Sequence, residues 1–294
     1  MKYGLVKLRA ELLLILTAMI WGSTFVVQKT AMSNISPFMF NTLRSLIGAG
    51  ALFVINLFFH SERDKKLKRK NKDLYKAGIV AGFLLYFGMA FQQWGLTTSS
   101  AGHAGFISSL YILLVPLIAL LFGKRVRKEI WFCIFVALIG LYLLCVNSGN
   151  YVSKGDILVF FSTFFFAFHI IWISKYAGKV NAIKLSCIQF LTAGIFSFFT
   201  SVNLEVTTKS GIIKSIPELL VAGVLSSAVA YTLQIIAQKH IKPYIASLIL
   251  SLESVFSVIA GYIFLHEILS LKEIIGCILV FISIFMTEYG KKNK

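Results

Sequence analysis

Charged residues cut this chain into long apolar stretches. Runs without a single charge cover Leu12–Gln28, Ala77–Gly123, Ile130–Ser153, Ile157–Ser174, Leu185–Leu204 and Leu219–Gln238. A helix crossing a bilayer takes about 20 mostly apolar residues, so each run predicts one span, except Ala77–Gly123, which is about twice too long. Its middle holds Thr97-Thr98-Ser99-Ser100-Ala101-Gly102, a turn-rich cluster that predicts a helical hairpin. Three further runs contain or border a charge: Pro37–Phe59 around Arg44, Pro243–Leu265 around Glu253, and Ile274–Glu288. The expected fold is therefore all-α and membrane-integral, with ten transmembrane helices. Pro37, Pro217 and Pro243 stand at or near proposed helix starts, where a missing N–H costs little. Pro116 falls inside the fourth helix and predicts a kink or local unwinding there.

Composition agrees with this pattern. Of 294 residues, 57% are hydrophobic and 14% charged, against about a quarter charged in a soluble domain. That argues against a soluble enzyme and a disordered scaffold. The net charge of +17 invites a nucleic-acid reading, but the basic residues are confined to short segments between spans. With the N-terminus inside, inner segments hold 23 Lys and Arg and outer loops hold five, with Arg44 inside a span. Basic residues collect on the cytoplasmic side, so both termini are expected there. The setting is a cell membrane crossed many times, a bacterial plasma or inner membrane, and nucleic acid is not an expected partner. Cys133, Cys145, Cys187 and Cys277 lie within apolar runs without metal-ligand spacing. No metal and no cofactor is expected.

The chain also repeats itself. Arg44 aligns with Gln189 at a shift of 145, Gln92 with Gln234 at 142, Ala104-Gly-Phe-Ile with Ala246-Ser-Leu-Ile at 142, and Cys133 with Cys277 at 144. The matches are ordered and drift by three residues. Residues 1–149 and 150–294 then form two repeats of five helices, and an odd number inverts the second relative to the first. Inverted repeats around a midplane site are typical of secondary transporters that alternate between two openings.

Trp21-Gly22-Ser23-Thr24-Phe25 with Lys29, Arg44, Gln92-Gln93-Trp94-Gly95-Leu96, and Ala104–Tyr111 leading to Val115-Pro116 resemble the first repeat of EamA-type proteins, ten-helix members of the drug/metabolite transporter superfamily. Ala230-Tyr231, Ala246-Ser247-Leu248, Leu252-Glu253 and His266-Glu267 resemble the second. The family usually has Leu-Glu-Pro and Gly-Glu where this chain has Leu252-Glu253-Ser254 and His266-Glu267. The resemblance implies a central cavity lined by both repeats and export or exchange of amino acids, nucleosides, drugs or other small metabolites.

The residues expected to line that cavity are Trp21, Ser23, Arg44, Gln92, Tyr111, His169, Tyr231, Gln234 and Glu253. Arg44 lies about seven residues into its helix, roughly 10 Å deep at 1.5 Å per residue, and intramembrane ions are functional candidates by default. Glu253, about ten residues into the ninth helix, is a proton-coupling group or a counter-ion. His169 is the one histidine deep in an apolar run. Gln92 and Gln234 offer amides as repeat partners, and Trp21, Tyr111 and Tyr231 an aromatic wall. Each also has a plain architectural role open to it. Glu253 with the aromatics suits an organic cation such as choline, Arg44 suits a carboxylate, and both suit a zwitterion. The expected activity is export of a small amphipathic metabolite, with cation uptake and multidrug efflux as alternatives. An intramembrane enzyme is disfavoured, because His266-Glu267 lacks the second histidine of a zinc motif: Ser270 stands there. Monomer and homodimer fit equally.

Overall fold

The computed structural model describes residues 2–58, 71–123, 125–145, 153–265 and 270–289. The basic block at 59–70, the tail at 290–294 and the His266-Glu267 dipeptide lie outside the described residues. So do Lys124 and the linker at 146–152, where the proposed repeat boundary falls.

Every element among the described residues is helical. In chain order these are α1 (Lys2–Ala31), α2 (Pro37–Phe58), α3 (Asn71–Gly95), α4 (Ala101–Ser109), α5 (Tyr111–Leu121), α6 (Lys128–Cys145), α7 (Lys154–Tyr176) and α8 (Ala182–Leu204). Short helices α9 (Lys209–Lys214) and α10 (Ile216–Leu220) lead into a π-helical stretch, Val221–Ala230, which continues as α11 (Tyr231–Gln238). Then come α12 (Pro243–Leu250), α13 (Leu252–Leu265) and α14 (Leu271–Tyr289). Among the described residues, eight stretches are long and apolar enough to cross a bilayer: Gly4–Ala31, Pro37–Phe58, Lys72–Gly95, Ala101–Leu121, Lys154–Tyr176, Ala182–Leu204, Ile216–Gln238 and Pro243–Phe264. The 18-residue α6 and 19-residue α14 pack on one another.

Sidedness is reversed relative to a water-soluble bundle. Phe53, Phe58, Leu121, Phe132, Phe135 and Phe199 are exposed on the outside, whereas Asn41, Arg44, Gln92, His169, Gln189, Gln234 and Glu253 are buried. Lipid tails suit the first set, and the second, Gln234 apart, has hydrogen-bond partners inside. This is a multi-pass membrane protein.

Caps set several helix ends. Ser100 accepts from the His103 amide at 3.1 Å and starts α4 directly after the Thr97–Ser99 turn, as the polar cluster predicted. Ser153 and Asp156 form a capping box on α7, and Glu205 accepts from the Phe38 and Met39 amides at 2.8 and 2.9 Å, satisfying the free N–H groups that begin α2. Pro37 and Pro243 occupy the first positions of α2 and α12.

The fourth span breaks, but not at its proline. The interruption is at Leu110, and Pro116 sits within α5. A second break, at Ser251, divides α12 from α13 with no proline involved. At both places a serine hydroxyl bonds back to the preceding turn: Ser109 donates to the Gly105 carbonyl at 2.9 Å and Ser251 to the Leu248 carbonyl at 2.7 Å.

The packing pairs elements from the two halves. α3 lies on α7 and α8, α2 on α8 and the π-helical stretch, and α1 on α13, α11 and that stretch. At the α3–α8 crossing, a Cβ on Gly82 would collide with the Gln189 carbonyl and lie 2.5 Å from Thr192 Cβ. Where the π-helical stretch crosses α2, a Cβ on Gly223 would stand 3.0 Å from the Arg44 carbonyl and 2.7 Å from Ile47 Cγ2. Arg44 and Ile47 precede Gln189 and Thr192 by the same 145 positions.

Candidate functional site

A cavity opens where the broken helices meet the centre of the bundle. α1 contributes Trp21, Phe25 and Gln28, which follow one another at i, i+4 and i+7 and so share one face. α2 supplies Arg44 and α3 Gln92. Ser108 and Tyr111 come from either side of the first break, and Glu253 from just beyond the second. Phe166, His169 and Ile170 come from α7, Ser226 from the π-helical stretch, and Tyr231 and Gln234 from one face of α11. About 40 Å³ is open to the centre of a water-sized molecule, room for about three waters.

Eight of the nine residues picked from the sequence come together here. Ser23 does not. At 100° per residue it points about 200° away from Trp21. Its hydroxyl donates to the Met19 carbonyl at 2.9 Å, and it lines a separate groove on the bundle's side with Thr30, Glu218 and Phe264. The sequence reading missed Phe25, Gln28, Phe166, Ser108 and Ser226. The α1 face was legible, since extending Trp21 by four and seven residues reaches Phe25 and Gln28.

Several of the buried polar groups have definite partners. Arg44 Nη1 donates to Gln28 Oε1 at 2.6 Å, and the guanidinium carbon stands 5.9 Å from the Phe40 ring centre. Its Nε has no hydrogen-bond partner. Gln92 Nε2 donates to Ser108 Oγ at 2.9 Å. His169 Nε2 faces Gln189 Oε1 at 3.1 Å. Ser109 Oγ reaches Glu253 Oε1 at 3.5 Å and bonds Ser254 Oγ at 2.5 Å, tying the two broken spans together. The Trp21 and Tyr231 rings stand 4.5 Å apart, and the His169 and Phe190 rings meet the Tyr231 ring edge-on at 5.7 and 5.1 Å.

The repeat partners Gln92 and Gln234 differ sharply. Gln92 is satisfied by Ser108, whereas both Nε2 and Oε1 of fully buried Gln234 lack any partner. A buried unsatisfied amide costs about 1–3 kcal/mol. Gln234→Leu is therefore expected to raise the unfolding temperature of the empty protein, and Gln92→Leu to lower it by orphaning Ser108. Thermal unfolding in detergent reads both, and equal shifts of one sign would remove this account.

The comparisons with known proteins bear on the whole chain. The profile of the EamA-like transporter family matches residues 8–146 and again residues 153–289. The chain belongs to the EamA-like transporter family. An uncharacterized transporter of Archaeoglobus fulgidus is 34% identical to this EamA-like protein over 290 residues, covering 97% of this chain and 87% of the relative. The uncharacterized inner membrane transporter YedA of Escherichia coli is 26% identical, covering 92% and 88%. One solved crystal structure superposes with a TM-score of 0.76 at 17% identity, over 95% of this chain and 96% of its own, which shows that the fold is shared. As an EamA-like protein, the chain is a membrane transporter.

Proposed function

We propose that this protein is a secondary transporter that exports small amphipathic metabolites, such as amino acids or related compounds, across a bacterial plasma membrane by alternating access. In this reading α6 and α14 also span the bilayer. The ten spans then form two inverted halves of five, with both termini cytoplasmic. The observation that carries it is the cavity itself: Arg44 from the first half and Glu253 from the second are both buried against one central space. Support for two related halves comes from the equivalent glycine crossings at Gly82 and Gly223 and from the two helix breaks. Leu110 and Ser251 are 141 positions apart, and Tyr111 and Glu253 stand 142 apart, close to the shift of the sequence repeat. Interrupted helices near the midplane supply substrate and ion sites in transporters of this architecture.

The test is counterflow or efflux of labelled amino acids and related metabolites from proteoliposomes holding the full chain. Absence of any substrate-dependent flux overturns the proposal. Uptake of an organic cation such as choline is the second reading, favoured by Glu253 beside the Trp21–Tyr231 pair. Cation flux without amino-acid flux would select it. Glu253 is assigned to proton coupling. Glu253→Gln is expected to flatten the dependence of flux on pH. An unchanged pH profile in that variant removes the coupling role.

A further inference from the structure

α1 presents two lined faces. Trp21, Phe25 and Gln28 turn to the central cavity, while Met19, Ser23, Val26 and Thr30, spaced at i, i+4, i+7 and i+11, line the lateral groove. The groove encloses about 600 Å³, and its far wall is Glu218, Val221, Leu225 and Phe264. Leu225 and Phe264 stand exposed on the outside of the bundle, so the groove opens sideways into the bilayer. Thr30 is the next-to-last residue of the first span and Glu218 the third of the span Ile216–Gln238. Both therefore stand where their helices leave the membrane, at headgroup level. From Thr30 down to Met19 is eleven residues, about 16 Å at 1.5 Å each, and most of the lining on the way is apolar. Half of a hydrocarbon core about 30 Å thick is about 15 Å. The groove runs the depth of one leaflet.

Its polar groups offer acceptors only. Glu218 Oε2 is buried with no hydrogen-bond partner. Glu218 itself is half-buried, and the last torsion of a glutamate is soft, so its carboxylate turns readily toward a ligand. The single protons of the Ser23 and Thr30 hydroxyls are already given to the Met19 and Val26 carbonyls at 2.9 and 3.1 Å, which leaves their lone pairs. The complement of a carboxylate and hydroxyl oxygens is a cation rich in N–H donors. A primary ammonium has only donors to offer, whereas a quaternary ammonium has none. A small water-borne amine would satisfy Glu218 but leave the apolar length below it empty. A phospholipid headgroup also carries a phosphate, and the adjoining α9 displays Lys209 and Lys214 exposed.

We propose that the lateral groove is a lipid site: one acyl chain of a phospholipid lies along it, and the primary-ammonium headgroup of that lipid is held at Glu218. The match is one of charge at the top and of length below. The site is separate from the central cavity, which lies on the opposite face of α1, and it stands whatever that cavity carries.

The test is native mass spectrometry of the delipidated full chain in detergent, titrated with dioleoyl phosphatidylethanolamine and with dioleoyl phosphatidylcholine. The two lipids share their chains and phosphate and differ only in whether the nitrogen carries N–H donors. The first ethanolamine lipid is expected to bind about tenfold more tightly than the first choline lipid. In the near-isosteric Glu218→Gln that preference should vanish while binding of the choline lipid stays unchanged. Val27→Trp, which fills the groove from α1, should weaken both lipids. Equal affinities for the two lipids in the parent protein overturn the proposal, as does a preference that survives Glu218→Gln. A dimer that excludes the lipid and falls apart in Val27→Trp also overturns it, because the occupant is then a second copy of the chain. Should Glu218→Gln fail to fold, a phosphatidylethanolamine with a photoreactive group in its acyl chain carries the test on the parent protein. Labelling is expected within residues 19–27 and 221–225, and labelling spread evenly over the spans overturns the site.

Discussion

Gly95→Leu is expected to leave no folded protein in the membrane. At this point α3 crosses α7 backbone against backbone. A Cβ on Gly95 would lie 2.6 Å from both the Gly155 carbonyl oxygen and Val159 Cγ2, and a Cβ on Gly155 would run into the Gly95 carbonyl. Flexible side chains can move aside for an added methyl, but two helix backbones can only separate. Overpacking in a core costs about 1–3 kcal/mol when side chains absorb it. Here the cost is expected above that range, out of a total stability of about 5–15 kcal/mol. The Ser99–Asp156 bond and the cap on α7 sit beside the same crossing and would be lost with it. Gly50 is the control. It lies exposed on α2 with nothing within 4 Å of a built Cβ, and Gly50→Leu should be neutral or gain a little helix propensity. Size-exclusion profiles of both variants extracted from membranes decide the matter. A monodisperse Gly95→Leu protein with the parent's unfolding temperature would refute the crossing.

Lys29→Met is expected to loosen one face of the bundle without unfolding it. The Lys29 ammonium donates to the Leu96 and Ser99 carbonyls at 2.7 and 2.8 Å, closing the C-terminal end of α3 from the end of α1. Ser99 Oγ in turn donates to Asp156 Oδ1 at 2.5 Å, and Asp156 Oδ2 takes the Ser153 amide and stands 3.7 Å from His103 Nδ1. One polar set thus fastens α1, α3, α4 and α7 at a single end. Charge-assisted bonds are worth about 1.5–3 kcal/mol each when buried. Lys29 is only partly buried, so screening reduces the pair to about 1–2 kcal/mol together. That corresponds to a shift of about 5–30-fold between closed and open forms. A cysteine placed at cavity residue Ser226, in a background without the native cysteines, should react that much faster with an impermeant maleimide added on the Lys29 side. An unaltered rate would mean that these bonds hold the helix ends and nothing more.

Much of this arrangement was legible before any coordinates. Eight of the ten proposed spans coincide with helices long and apolar enough to cross a bilayer, because an apolar run of about 20 residues is the pattern lipid favours, and the polar cluster Thr97–Gly102 marked the hairpin. Buried Arg44 and Glu253 stood out against an apolar background for the same reason. Less visible were residues whose role depends on rotation about a helix axis. Ser23 looks as polar as Gln28, and only the 100° step separates the lateral groove from the cavity. Phe25 and Phe166 resemble any of the 27 phenylalanines. The breaks at Leu110 and Ser251 were not foreseen, because proline is the obvious disruptor in a sequence and neither place carries one.

The Val221–Ala230 stretch is wound more widely than an α-helix, and the Ser227 hydroxyl reaches the Ala222 carbonyl, five residues back, at 2.9 Å within it. Rewinding it as an α-helix would turn everything downstream about the helix axis, since the two windings place different numbers of residues in a turn. Tyr231 and Gln234 follow directly in the same helix, so such a rewinding would turn both together. An engineered deletion of one residue within the stretch is therefore expected to rotate two cavity-lining side chains with a single change.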